Sequence, residues 1–348
     1  MRRIALFPSH TVVMRALPAI FVLLATLVPA GYAMKKRTPQ PPPPNNGNVG
    51  TLVGEAYLYV SANRNSAQIA DIMPGRELVI TERNGNWVRV FANTDRPDTD
   101  GADVSVFGSR VRAQPVSGWM IDKGIVTAKT PNGDMILFGA ADAAEQQASL
   151  PDPPPHMAQE ARLLYQRVYT MFPRSPWTPE AMYRAADILW QLQKADVDSL
   201  PSAHQRESYL REHMNEDEMR KVQKYFPNSK WADLAAFDMI ENKLCGDWNG
   251  SEKCPEQESG YYLRYVHDYP KSPRAAEALY DACWREAAAG DMWIEDGNRS
   301  RAKEDHDRAI QIAEGMQKQF PNSSYTTRAA EIAWKIRQGI IVYTSNQD

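Results

Sequence analysis

At 348 residues the chain is long enough for two or three domains with real hydrophobic cores. Its 43% hydrophobic and 24% charged residues are those of an ordinary globular protein, with two biases: 25 prolines and 9 tryptophans. A formal charge of −3 without a basic stripe argues against a nucleic-acid partner, and residues 1–33 hold three arginines and no acid, so the remainder is more acidic still.

The first segment reads as a targeting sequence. Arg2, Arg3 and Arg15 precede an apolar run from Ala16 to Val28, and Gly31-Tyr32-Ala33 supplies small residues where a signal peptidase cuts. This predicts a signal peptide over 1–33, a mature chain starting near Met34, and a periplasmic or otherwise exported protein. The alternative is an N-terminal membrane anchor, favoured by Lys35, Lys36 and Arg37 immediately after the run. Against it, the run contains Pro18 and falls short of the roughly 20 apolar residues a spanning helix needs. No other stretch is long enough to span, so no integral membrane domain is expected after cleavage. Residues 34–50 are rich in Pro, Asn and Gly and read as a linker, stiff in its proline part.

From 51 to 127 the pattern has period two. Leu58 and Val60 alternate with Tyr57, Tyr59 and Ser61, and Leu78 and Ile80 share one face with Val79 on the other. Pro74-Gly75 marks a turn, Asn84-Gly85 a hairpin leading into Trp87-Val88-Arg89-Val90-Phe91, and Gly118-Trp119-Met120-Ile121 opens a last short strand. Short strands at this spacing predict a small barrel. Met73 to Leu78, then Asn86-Trp87-Val88-Arg89-Val90, then Ser117-Gly118-Trp119-Met120 resemble the bacterial SH3 domain. That resemblance covers most of 51–127 and implies a wall- or peptide-binding module, with Trp87 and Trp119 as candidate interaction residues. Two departures from the family pattern stand out: the first-strand region is reduced to Ala62-Asn63-Arg64-Asn65-Ser66, and an insertion from Asn93 to Pro115 precedes the last strand.

Residues 128–156, rich in Ala, Asp and Pro, read as a second linker whose apolar Met135-Ile136-Leu137-Phe138 packs back on the barrel. Beyond 156 the period becomes 3.6, and four segments align: Phe172-Pro173-Arg174-Ser175, Phe226-Pro227-Asn228-Ser229, Tyr269-Pro270-Lys271-Ser272 and Phe320-Pro321-Asn322-Ser323. Each has an alanine eight residues after its proline: Ala181, Ala235, Ala278 and Ala329. The aromatic ends one helix against the core, Pro prevents its continuation, Ser caps the next helix, and Ala lets the paired helices approach. Four such hairpins over 157–348 predict a stacked solenoid. They resemble the tetratricopeptide repeats of exported outer-membrane assembly lipoproteins and cell-division coordinators. Here the turns are 54, 43 and 51 residues apart, so longer helices and insertions, such as Ala195–His204 and the stretch between Cys245 and Cys254, enlarge the usual unit. The chain lacks the lipidation cysteine of the assembly lipoproteins, so their role is not implied. The expected fold class is therefore multidomain α+β, a small SH3-like β-barrel followed by an all-α tetratricopeptide-like solenoid.

In an exported protein, Cys245 and Cys254, flanking a polar, turn-rich loop, should form a disulfide that constrains the unfolded chain by about 2.5–3 kcal/mol. Cys283 falls at helical spacing with Leu279 and Ala276 and reads as a buried small hydrophobe. Trp177, Trp190, Trp231, Trp284 and Trp334 recur at helix positions and read as core, whereas Trp248, in the disulfide loop, reads equally as a candidate interaction anchor or as a plug of its own loop. His204 and His213 near Glu216, Asp217 and Glu218, and the Glu304 to Asp307 run, read as solvated helix faces rather than metal ligands. No Walker loop, nucleophile elbow or paired-histidine zinc motif occurs. The expectation is a non-enzymatic envelope scaffold with no cofactor, a protein or peptide partner on the helical repeats, and peptidoglycan as a candidate ligand of the barrel. The competing reading is an accessory or degenerate peptidoglycan hydrolase, which would need a His joined to a Cys or to carboxylates in a cleft.

Overall fold

Alternating apolar residues pair seven short strands into one antiparallel sheet: β1 (Val49–Leu52), β2 (Ala56–Tyr59), β3 (Gln68–Ile72), β4 (Glu77–Asn84), β5 (Trp87–Ala92), β6 (Val116–Ile121) and β7 (Ile125–Thr127). The computed structural model describes residues 48–94, 115–248 and 250–344. The expected signal peptide, most of the proline-rich segment and most of the insertion from Asn93 to Pro115 lie outside them. The strand order is β3-β2-β6-β5-β4-β1-β7, and the first strand begins at Val49, inside the segment expected as linker. Leu52, Leu58, Ile72, Leu78, Ile80, Val88, Val90 and Met120 come from six strands, yet they meet in one cluster. One face of a single sheet can do this only by curling around its own side chains. The hairpin expected at Asn84-Gly85 is present: Asn84 pairs with Trp87, and Gly85 has φ 57°. Val60, expected within the alternation, lies beyond the end of β2 and is exposed.

Nine α-helices follow among the described residues: α1 (Gly133–Ala148), α2 (Met157–Met171), α3 (Thr178–Asp198), α4 (Asp217–Tyr225), α5 (Lys230–Asp238), α6 (Lys253–Asp268), α7 (Ala275–Glu295), α8 (Arg299–Gln319) and α9 (Ser324–Arg337). The segment 128–156, expected as a linker, contains α1. Leu137, Ala141 and Ala144 of α1 are buried in one core with Val126 of β7, Leu164 and Val168 of α2, and Ala181 and Ala185 of α3. The apolar stretch around Leu137 thus packs on the helices as well as on the end of the sheet. Gly133 opens α1 because a side chain there would lie 2.5 Å from the Phe172 ring. The sheet meets α2 directly as well. Gly75, at φ 79°, lies against Leu163 and Leu164, and Arg167 donates to its carbonyl at 2.7 Å.

The four aromatic-proline turns have nearly one backbone. Phe172, Phe226, Tyr269 and Phe320 end α2, α4, α6 and α8 at φ −127°, −128°, −128° and −133°, with ψ between 54° and 59°. In each turn the serine N–H donates back to the aromatic's carbonyl, at 2.9–3.3 Å. Pro173, Pro227, Pro270 and Pro321 thus each separate two helices, and so short a connection makes the two antiparallel neighbours. Ser229 and Ser323 cap α5 and α9 as expected. Ser175 and Ser272 do not. Pro176 and Pro273 follow them, the helix starts two residues later, and their Oγ atoms accept from Trp177 and Arg274 N–H instead. Ala181, Ala235, Ala278 and Ala329 are all fully buried.

A second regularity joins one pair to the next. The residue ten after each turn proline meets the residue four after the next one. Tyr183 stacks on Trp231 at 5.6 Å, the Arg274 guanidinium sits 4.5 Å over Phe237, and Tyr280 meets Tyr325 at 5.7 Å. Phe138 of α1 makes the same contact with Trp177, at 4.7 Å. So α1 takes the place of a preceding repeat and covers the end of the stack.

Candidate functional site

On the sheet, the side-chain alternation that sends Leu58, Val88, Val90 and Met120 inward turns an aromatic set outward. Tyr59 of β2 pairs with Trp119 of β6, which pairs with Arg89 of β5, so these three form a row across adjacent strands. Trp87, paired with Ile121, lies in the next row and meets Tyr59 edge-on, with ring centroids 5.7 Å apart. Both tryptophans are half-buried, and Tyr57 and Phe91 extend the face at 46% and 47% exposure. Gly118 permits the row: a side chain there would press on the Tyr59 carbonyl at 3.0 Å and on Leu58 at 3.1 Å. The structure therefore brings Trp87 and Trp119 to one surface.

Cys245 and Cys254 are disulfide-bonded, with Cα atoms 6.0 Å apart. The bridge lines an open cleft of about 520 Å³ between the disulfide loop and the segment before α4, with Arg206, Tyr209, Lys243 and Tyr261 on its walls. Of the two readings of Trp248, its contacts favour the plug over the anchor. It is half-buried and faces inward rather than standing free as an anchor. Its indole N–H donates to Glu258 Oε1 at 3.1 Å, and its ring lies 5.2 Å from Trp284 and 5.3 Å from Tyr343. Glu258, buried on α6, organises this corner: it also accepts from the Cys245 N–H at 2.8 Å and from Arg285 Nε at 2.7 Å. Polar loop composition suggested exposure, but the two partner rings lie far away in sequence, where no local pattern reveals them.

Two groups were missed by sequence reasoning. Asp291 is buried near the end of α7, where one Oδ meets His306 Nε2 of α8 at 3.0 Å. Its other oxygen accepts the backbone N–H groups of Val342 and Tyr343 at 2.7 and 2.9 Å. The segment after α9 thus returns to α7, reversed at Gly339, which has φ 69°. An acid directly after the small-residue run Ala287 to Gly290 was the available signal for Asp291. The other was the β-branched run Ile340-Ile341-Val342 before Tyr343.

Along α3, α5 and α7 runs a strip of half-buried charge. Asp187, Asp238 and Asp281 all have carboxyls pushed up by burial, Asp238 to about 7 and Asp281 to about 6. Tyr183 donates to Asp238 at 3.0 Å, and Arg274 partly offsets the charge of both Asp187 and Asp238. His204 and His213 do not converge with Glu216 to Glu218. His213 bonds the Ser208 carbonyl, and Glu216 takes Asn242 and Arg220. Among the described residues no group of three His, Cys, Asp or Glu could hold a metal ion. Cys283 is buried on α7, its thiol pushed up to about 12 by burial, which suits a packing role and not a nucleophile. No helix of the described residues is long and apolar enough to cross a membrane. The chain matches no family model, and no curated protein matches it.

Proposed function

We propose that this chain is a non-catalytic adaptor of the bacterial cell envelope, which holds a protein or peptide partner on tetratricopeptide-like helical repeats. Its SH3-like sheet would offer peptidoglycan or a second peptide the Tyr59–Trp87–Trp119 face. The observation that carries the reading is the repeated turn with its inter-pair ladder. Four helix pairs joined by one backbone geometry and stacked by one contact rule make a quasi-linear scaffold, whose product is surface rather than an enclosed pocket. The half-buried acids Asp187, Asp238 and Asp281 along α3, α5 and α7 support a polar, partly cationic partner segment there. The Arg-flanked apolar run of residues 2–28 and the disulfide support export.

The test places a photo-crosslinking residue at Gln191 on the α3 strip and, separately, at exposed Gln317 on α8. In the cell envelope the first should capture a discrete partner and the second should not. Equal capture at both positions, or none at either, overturns the reading. N-terminal sequencing of the exported protein should find a start near Met34.

A further inference from the structure

The three rings of Trp248, Trp284 and Tyr343 come from the disulfide loop, α7 and the segment after α9, with centroid separations of 5.2, 5.3 and 6.4 Å. Two of them, Trp248 and Trp284, are walls, and each is fixed without the third. Trp248 is held by Glu258 and by the Cys245–Cys254 bridge; Trp284 belongs to α7, beside Arg285, whose guanidinium lies 5.6 Å from its ring. Asp291, two helical turns further along α7, is held by His306. The floor and both walls therefore have supports that do not involve residues 340–344.

The occupant is held differently. Its two successive N–H groups, at Val342 and Tyr343, go to a side-chain carboxylate instead of to a helix or a strand. Tyr343 packs against both tryptophans, which also touch each other, Val342 packs on the core of α7–α9, and Ile340 and Ile341 stay 43% and 57% exposed. This is how a bound peptide is held: two main-chain donors on one buried acceptor, one aromatic ring on an aromatic pair and one β-branched side chain beside it.

We propose that the Trp248–Trp284–Asp291 slot is a peptide-binding site, closed in this state by the chain's own segment Ile340–Thr344. Its ligand is a partner segment of the same chemistry, an aromatic residue preceded by β-branched residues with two adjacent N–H groups free for Asp291. The inference rests on the adaptor reading and deepens it by naming where such a partner docks. A tethered occupant acts at an effective concentration on the order of millimolar, so a short free peptide competes poorly with it. A partner that also engages the neighbouring α7 and α5 surfaces gains the extra contacts needed to displace it.

The probe is a fluorescein-labelled synthetic peptide spanning Gly339 to Ser345, followed by anisotropy. A chain ending at Gly339 should bind it at least tenfold more tightly than the full chain does. Trp284→Ala in the shortened chain, or Tyr343→Ala in the peptide, should abolish that binding. Full-length Tyr343→Ala should gain peptide binding as well, which guards against misfolding of the shortened chain. If both variants keep the wild-type circular dichroism and neither binds more tightly than the full chain, the slot is not a ligand site. If neither variant folds, the segment is a structural part of the stack and the proposal fails. Crosslinking at Gln191 reports on the adaptor reading separately: capture there without peptide binding here removes only this inference.

Discussion

Ala278 is surrounded by Ile240 after α5 and by Tyr262 and Tyr265 of α6, and it has no exposed surface. A methyl group is what that space holds. Replacing it with Leu adds three carbons that must displace aromatic rings already engaged elsewhere: Tyr265 bonds the Asp233 carbonyl and Ser272. Ala278→Leu should therefore cost about 1–3 kcal/mol, whereas Lys318→Gln, on an exposed position of α8, should cost almost nothing. Thermal melts of the two variants decide it, and equal melting temperatures would refute the close-packing role of the alanine. Asp238 makes a second residue-scale prediction, with a sign. Its folded-state carboxyl sits near 7, above the ordinary 3.8, because of burial and the neighbouring Asp187, with Glu277 adding to the effect while Arg274 and the Tyr183 hydroxyl oppose it. Between about pH 4 and 7 the folded chain holds a proton that the unfolded chain has released, so stability falls as pH rises through that window. Asp281, near 6, acts in the same direction. Asp238→Asn, which can still accept from Tyr183, should raise the melting temperature at pH 8 and flatten its decline between pH 5 and 8. An unchanged slope would mean that the carboxyl titrates normally.

At the scale of elements, what was legible depended on how local the cause was. The aromatic-Pro-x-Ser turn is a local device: one residue forbids continuation of a helix and its neighbours fix the reversal, so four copies could be read in order. The α1 helix was not legible. Its buried stripe is Leu137, Ala141 and Ala144, and alanines between proline clusters give little hydrophobic contrast against a linker composition. The choice between the two readings of Trp248 was not legible for the complementary reason, since its burial depends on Trp284 and Tyr343, both remote in sequence. Trp87 and Trp119 were legible because strand alternation alone decides which face they take. The disulfide gives this scale its prediction. Intact mass without reductant should be two protons below that of the reduced chain, and the Cys245→Ser, Cys254→Ser double variant should lose about 2–3 kcal/mol. Because the bridged loop carries Trp248, reduction should also shift tryptophan emission to the red. Two alkylatable thiols in the native protein would refute the bridge.

The molecule as a whole was expected as two domains on a linker, yet the described residues 48–344 all fall within a single compact unit, Pro44–Asp348. Two contacts explain this. Val126 of the last strand is buried in the core that α1, α2 and α3 share, and the Gly75 turn lies directly on α2. Gly75 is the more stringent of the two. Its φ of 79° suits glycine, and any Cβ would sit 2.6 Å from that of Leu163 and 2.8 Å from the Leu164 nitrogen, where neither the helix backbone nor a Cβ fixed to it can yield. The sheet has its own core in the Leu58–Val88–Met120 cluster, and the stack has others, so each part has the means to persist when the contact is lost. Calorimetry of the native chain should accordingly give one cooperative transition for the sheet and the first helices. Gly75→Val should split it, with a lower-melting component assigned to the sheet by near-ultraviolet signals from Trp87 and Trp119. Two well-separated transitions in the unmodified chain, or a single unaltered one in the variant, would show that sheet and stack are only tethered. In the united case, a load on the Tyr59–Trp119 face would pass through the Gly75 turn into α2.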